Sequence, residues 1–273
     1  MTMCLLREPF DTLWREQDPF AAVETLQGQV YRELAARRTL STNVAGEMFF
    51  VKIHRGVGWK EIFKNLLSLR LPVLGAKNEW QAIERLQTLG VKTMDWVAFG
   101  ITGHNPAAQH SFIITRAIMP SVSLEDYCRD WARRPPPMAF KRNLITRVAQ
   151  MARRMHQGGV NHRDFYLCHF LLGLQPEPQA QQFTLSLIDL HRAQVRDNTP
   201  PRWRNKDLAG LYFSALHIGL TRRDRLRFLQ EYFDRPLRDI LRDEAPAIRY
   251  LQQQSAALLR RYQRKYAPSA ANE

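Results

Sequence analysis

Cysteine is scarce in this chain of 273 residues: Cys4, Cys128 and Cys168 are the whole set, with no Cys-x-x-Cys spacing. So few thiols argue against a disulfide framework or a structural zinc site; three reduced thiols, at least one in the core, are expected. Long apolar runs are missing as well. No stretch approaches the roughly 18–20 uninterrupted apolar residues of a membrane-spanning helix, and the apolar part of residues 1–8 is too short for a secretory signal. A cytoplasmic protein is the expectation. Internal repeats and low-complexity tracts are absent, which argues against solenoids and disordered arrays. Acidic residues are in the minority, 26 against 40 Lys and Arg, for a net charge of +14 and a pI near 10.2. Such an excess suggests a polyanionic partner: nucleic acid, anionic headgroups or a phosphorylated substrate. It is concentrated between Arg129 and Arg163, where nine basic residues face only Asp130.

What is present is ample apolar content, 45% of residues, enough for one large domain or two small lobes. The patterning predicts strands over 30–40 and 48–54, with Asn43-Val44-Ala45-Gly46 as a turn. Helical periodicity follows over 59–69 and 77–89, the second closed by Gly90, and then two strands over 93–102 and 110–116. After Ile118 the character turns helical. Ser123-Leu124-Glu125-Asp126 opens a short helix to Trp131, and a long helix runs from Met138, behind three prolines, to Gln157, ended by Gly158-Gly159. Two β-like pieces, 170–174 and 183–190, precede a helical remainder interrupted at Pro236 and Pro246, with 267–273 frayed. The expected architecture is α+β with a cleft between two lobes, 1–118 mixed and 119–273 mostly helical.

Chemistry concentrates in Val160-Asn161-His162-Arg163-Asp164 and, 25 residues after that aspartate, Leu187-Ile188-Asp189-Leu190. Two aspartates on neighbouring loops suit phosphoryl transfer: one accepts the proton of an attacking hydroxyl, the other holds Mg²⁺ against the ATP phosphates. His162-Arg163-Asp164 has the form of the kinase catalytic loop, and Asp189 falls where the metal-binding kinase aspartate would be. Lys52, flanked by apolar residues in Phe49-Phe50-Val51-Lys52-Ile53, resembles the kinase lysine that grips the phosphates. Its expected partner is Glu79, with Glu61 and Glu84 as competitors. Two features depart from that pattern. No Gly-x-Gly-x-x-Gly precedes Lys52, so backbone amides are left to cover the phosphates. The asparagine expected five residues after Asp164 is His169, which could bind Mg²⁺ or brace the loop.

Beyond these motifs the chain resembles the lipopolysaccharide core heptose(I) kinases of Gram-negative bacteria, over nearly its whole length. The resemblance is carried by Glu8-Pro9-Phe10, residues 65–70 and 72–76, Ser111-Phe112-Ile113-Ile114-Thr115, Asn161-His162-Arg163-Asp164, Cys168-His169-Phe170-Leu171-Leu172, residues 188–194 and residues 202–208. Histidine at the His169 position belongs to that family's pattern. The resemblance implies a protein-kinase-like two-lobe fold, a nucleotide-clamping first lobe and an acceptor-binding second lobe. It also implies ATP and Mg²⁺ as cofactors and phosphorylation of the first inner-core heptose at its 4-hydroxyl. Carried over, Asp164 is the base, and His162 and Arg163 belong to the catalytic set with it, Arg163 to order loops and not to touch substrate. Lys52 and Glu79 clamp the phosphates, Asp189 holds the metal with His169 as a second candidate, and Asp207 either braces the catalytic loop or is simply an acid favoured by the dipole at a helix start. A glycolipid acceptor, anionic and membrane-anchored, agrees with the charge and with peripheral contact at the inner membrane. Arg133, Arg134, Lys141, Arg142, Arg192, Arg196 and Arg202 are candidate contacts. An acidic partner such as acyl carrier protein would match a basic enzyme, and no nucleic acid is expected. The alternatives are a kinase with a protein or small-molecule acceptor and a non-catalytic nucleic-acid-binding protein.

Overall fold

Alternation within Glu47-Met48-Phe49-Phe50-Val51-Lys52-Ile53-His54-Arg55 decides the central strand: Phe49, Val51 and Ile53 are fully buried on one face, and Phe50, Lys52 and His54 take the other. A computed structural model describes residues 2–67 and 75–266, without the side chains of 61, 65 and 66. The chain forms two compact units. One comprises Met1–Thr88, Lys92–Met119 and Asp189–Val195; the other comprises Leu89–Val91, Pro120–Ile188 and Arg196–Glu273.

The first unit is built on a six-stranded antiparallel sheet. Its strands are β1 (Met3–Leu6), β2 (Gln29–Leu34), β3 (Arg37–Val44), β4 (Glu47–Arg55), β5 (Trp96–Thr102) and β6 (His110–Arg116), in the order β1-β5-β6-β4-β3-β2. The core on the Phe49 face joins Leu40, Val51, Phe112 and Ile114 to Phe10 and Trp14 near α1 (Phe10–Leu13) and Val23 of α2 (Pro19–Thr25). These N-terminal elements were not foreseen, although Asp18 accepting from the Phe20 N–H with Pro19 at the first helical position is a readable helix start. The strand expected over 30–40 is instead a hairpin, with Leu34 paired to Arg37 around Ala35-Ala36. Alanine carries no turn signal, so the reversal was invisible in the sequence. Helices α3 (Gly58–Leu67) and α4 (Lys77–Thr88) complete the unit; residues 68 and 69 of the expected 59–69 helix, and the 267–273 tail, lie outside the described residues.

The second unit is mostly helical: α5 (Leu124–Tyr127), α6 (Met138–Gln157), α7 (Pro201–Ser214), α8 (Arg222–Phe233), α9 (Leu237–Asp243) and α10 (Ala245–Tyr266). Helix α6 buries Leu144, Val148, Met151 and Met155 along one stripe, as its 3.6-residue period requires. Pro246 lies in the first turn of α10, where a missing N–H is harmless, so it begins a helix and does not interrupt one. A small antiparallel sheet of Ser121–Ser123, Phe170–Gly173 and Leu185–Leu187 flanks the helices, the last strand shorter than the expected 183–190. Mixed α+β architecture is therefore observed, and no described helix is long and apolar enough to cross a membrane.

Candidate active site

Lys52 lies on the face of β4 opposite the core, so its ammonium reaches α4. Its Nζ is 2.7 Å from Glu79 Oε1 and 3.2 Å from Asp189 Oδ1. Glu79 sits in the first turn of α4, where the helix dipole favours an anion, and it is 1% exposed. Burial alone would lower the pKa of Lys52; the charges of Glu79 and Asp189 outweigh it and hold the ammonium above its ordinary range. Of the competing glutamates, Glu84 is engaged by the Trp96 indole and lies 3.6 Å from Arg7, while the Glu61 side chain lies outside the described residues. Asp189 has left-handed backbone, φ 60° and ψ 54°, a conformation that aspartate tolerates better than most residues. Its Oδ1 also accepts from His191 Nδ1 at 2.8 Å.

The Asp164 loop is assembled within the helical unit. Gly158 caps α6, and Gly159 follows at φ +82°, where a Cβ would come within 1.8 Å of the Arg196 carbonyl oxygen. No other residue fits that approach. The buried Asp207 carboxylate, on α7, accepts the His162 N–H at 2.6 Å and the Arg163 N–H at 2.9 Å, and its Oδ2 lies 3.3 Å from His156 Nε2. These bonds hold Arg163 in left-handed backbone, φ 74°. Such non-glycine residues cluster at functional sites. The Asp164 N–H donates to His162 Nδ1 at 3.3 Å, so His162 Nε2 carries the proton and donates to the Ile188 carbonyl at 2.9 Å. His169 Nδ1 donates to the Asp164 carbonyl at 2.6 Å, and its ring stacks on His162 with centroids 5.5 Å apart. His169 therefore braces the loop.

One expected acceptor contact is excluded. Lys141 is buried and 2.8 Å from the equally buried Asp224, which also closes the capping box of α8 with Thr221. A lysine on the inward stripe of α6 needs such a partner, and the Thr221-x-x-Asp224 spacing was the available signal. Arg196 bonds the Asn161 side chain, and Arg202 lies over the Trp203 ring, 4.5 Å from its centroid. The same unit holds a cavity of about 430 Å³ lined by Leu124, Trp131, Leu144, Leu208, Leu226 and Leu251.

The donor set suits Mg²⁺ delivered with a nucleotide. No cluster of three or more His, Cys, Asp or Glu side chains able to hold a metal occurs among the described residues. In nucleotide sites that ion keeps to one or two carboxylates and completes its shell with phosphate and water oxygens, which the Asp189 carboxylate satisfies.

Residues 21–232 match the lipopolysaccharide kinase (Kdo/WaaP) family. The chain is 60% identical over 260 residues to the lipopolysaccharide core heptose(I) kinase WaaP of Pseudomonas aeruginosa, covering 95% of this chain and 97% of that one. It is 52% identical over 263 residues to the enzyme of the same name from Escherichia coli K12, covering 96% and 99%. A solved structure of WaaP in complex with acyl carrier protein aligns with a TM-score of 0.85 at 55% identity, over 94% of this chain and 99% of that one. A match over most of its length, with relatives above half identity, places the chain in the lipopolysaccharide kinase (Kdo/WaaP) family.

Proposed function

We propose that this protein transfers the γ-phosphoryl group of ATP to the first heptose of the lipopolysaccharide inner core, at the 4-hydroxyl. The observation that carries the acceptor is the 52–60% identity to heptose(I) kinases over nearly the whole chain. ATP use goes with membership of a kinase family. The Lys52–Glu79 pair supports a phosphate clamp: an ammonium held charged and fixed by a buried carboxylate would contact the nucleotide phosphates.

In this reading Asp164 takes the proton of the attacking heptose hydroxyl as that oxygen bonds phosphorus and ADP departs. His162, Arg163 and Asp207 hold the Asp164 loop in place, so little reorganisation accompanies the reaction. Bound Mg²⁺ would neutralise charge on the β- and γ-phosphates. Asp189 would be its ligand; His169, a second candidate, is nitrogen-donating, a weaker match for this ion, and its observed bond braces the loop. Residues 1–118 would then serve mainly the nucleotide, and residues 119–273 the catalytic loop, the metal and the acceptor.

The acceptor is an anionic glycolipid, so we place the enzyme in the cytoplasm with peripheral contact at the inner membrane, consistent with its +14 charge. An acidic carrier protein is the second proposed partner, supported by the related structure solved with acyl carrier protein. The apolar cavity of the helical unit has a size and lining that suit the hydrocarbon chain of such a carrier.

The test is transfer from labelled ATP, with Mg²⁺, to heptose-containing lipopolysaccharide lacking core phosphate, with Asp164→Ala as control. Label on the heptose 4-hydroxyl with wild type alone is the expected result. Label at another position, or equal transfer by Asp164→Ala, would overturn the regiochemistry or the base.

A further inference from the structure

A glycine-rich loop normally lets backbone amides approach nucleotide phosphates closely, and this chain has none. The β2–β3 hairpin, two strands before Lys52 in the sheet order from that edge, turns at Ala35-Ala36. Directly after the turn comes Arg37. It is cross-strand from His54, as Thr39 is from Lys52, so Arg37, Thr39, Lys52 and His54 share one face of the sheet. That face is opposite the Leu40–Val51–Ile53 core.

The polar atoms of this face are conspicuously unmatched. Among the described residues, Arg37 Nε, Thr39 Oγ1 and His54 Nε2 of this face, and Oε2 of Glu79 on α4, are buried without a hydrogen-bond partner, and His54 and Glu79 are themselves 3% and 1% exposed. Buried groups of this kind ordinarily find partners. Arg37 also stands apart from its neighbours. Arg55 is held by Glu24 and Glu33, and Arg38 by Glu33, whereas Arg37 has no ion pair among the described residues. Burial and the Arg32 charge push its pKa down, against the opposing charges of Glu79 and Asp189, the same two carboxylates that hold Lys52.

We propose that Arg37 is a direct ligand of the ATP phosphate chain, its guanidinium fork replacing the backbone-amide cover that a glycine-rich loop supplies. A planar guanidinium can give two parallel N–H bonds to phosphate oxygens, which an ammonium cannot. Thr39 Oγ1 and His54 Nε2 add polar groups to the same face. This inference rests on the ATP reading of the Lys52 site.

The experiment is calorimetric titration of the full chain with Mg·ATP and, separately, adenosine, using wild type, Arg37→Gln, Arg37→Lys and Lys52→Met, each checked by thermal melting. Arg37→Gln is expected to weaken ATP binding by about tenfold or more, the scale of lost charge-assisted hydrogen bonds, with adenosine affinity unchanged. Should Arg37→Gln not fold, Arg37→Lys serves: it keeps the charge and loses the fork, so a severalfold loss confined to ATP is expected. Wild-type ATP affinity in the folded Arg37 variants, with binding lost in Lys52→Met, overturns the role of Arg37 and leaves the ATP site standing. Equal losses for ATP and adenosine also overturn it, because a phosphate ligand does not read the nucleoside. Unchanged ATP affinity in Lys52→Met would overturn the underlying reading instead.

Discussion

Lys52 and Asp189, 137 positions apart, meet with Nζ 3.2 Å from Oδ1, although most residues around Asp189 in sequence belong to the other compact unit. The segment Asp189–Val195 belongs to the sheet unit. The aspartate proposed to hold Mg²⁺ thus comes with the phosphate clamp, while the proposed base, Asp164, is built by α6 and α7 of the helical unit.

Replacing Asp164 by Asn should lower the transfer rate by roughly 10²–10⁴, the usual worth of a general base. Its carboxylate is placed by loop bonds made through its backbone, to His162 and His169, so the fold and Mg·ATP affinity should persist. Single-turnover rates beside a nucleotide titration check this; a parallel loss of ATP affinity would contradict the assignment.

Asp207→Asn should harm both fold and rate without touching substrate. The carboxylate accepts two backbone N–H groups, and an amide presents an NH₂ to one of them, leaving a buried donor unmatched at a cost of about 1–3 kcal/mol. The expected outcome is a lower melting temperature and a reduced kcat with KM for ATP nearly constant.

Lys141→Met should destabilise by about 3 kcal/mol, because it strands a buried Asp224 carboxylate. At a temperature where the variant is folded, its KM for lipopolysaccharide should match wild type. A raised KM would restore Lys141 as an acceptor contact.

Stability should fall on the acid side through His54. Burial first, then Arg37, Lys52 and His191, pushes its pKa down to about 3, against 6.5 for an ordinary histidine. Between those values the unfolded chain binds a proton that the folded chain refuses, so stability is full above pH 6.5 and drains as pH falls toward 3. From pH 6.5 to 5 the loss is about 2 kcal/mol. Urea melts at the two pH values should show it in wild type, and His54→Gln should flatten it; an equal slope in both would assign the acid sensitivity elsewhere.

Local pattern made part of the site readable. Alternation around Lys52, the Gly158-Gly159 stop after α6 and the spacing of Asp164 to Asp189 survive folding because each is a property of a few adjacent residues. The Ala35-Ala36 turn escaped because alanine is neutral toward turns, and the N-terminal helices escaped because they are only 4 and 7 residues long. Membership of a kinase family decided between enzyme and binding protein, which charge alone left open.

By itself the sequence determined which face of β4 carries Lys52, where α6 must end and which aspartates stand on loops, since backbone periodicity and glycine sterics act over a few residues. Only the tertiary structure decided that Glu79 and not Glu84 clamps Lys52, that Asp207 braces the Asp164 loop, that Lys141 is spent on Asp224, and that Arg37 is left without an ion pair among the described residues. Each of those outcomes depends on which distant side chains share a volume shielded from water, where a charge must find a partner or a ligand.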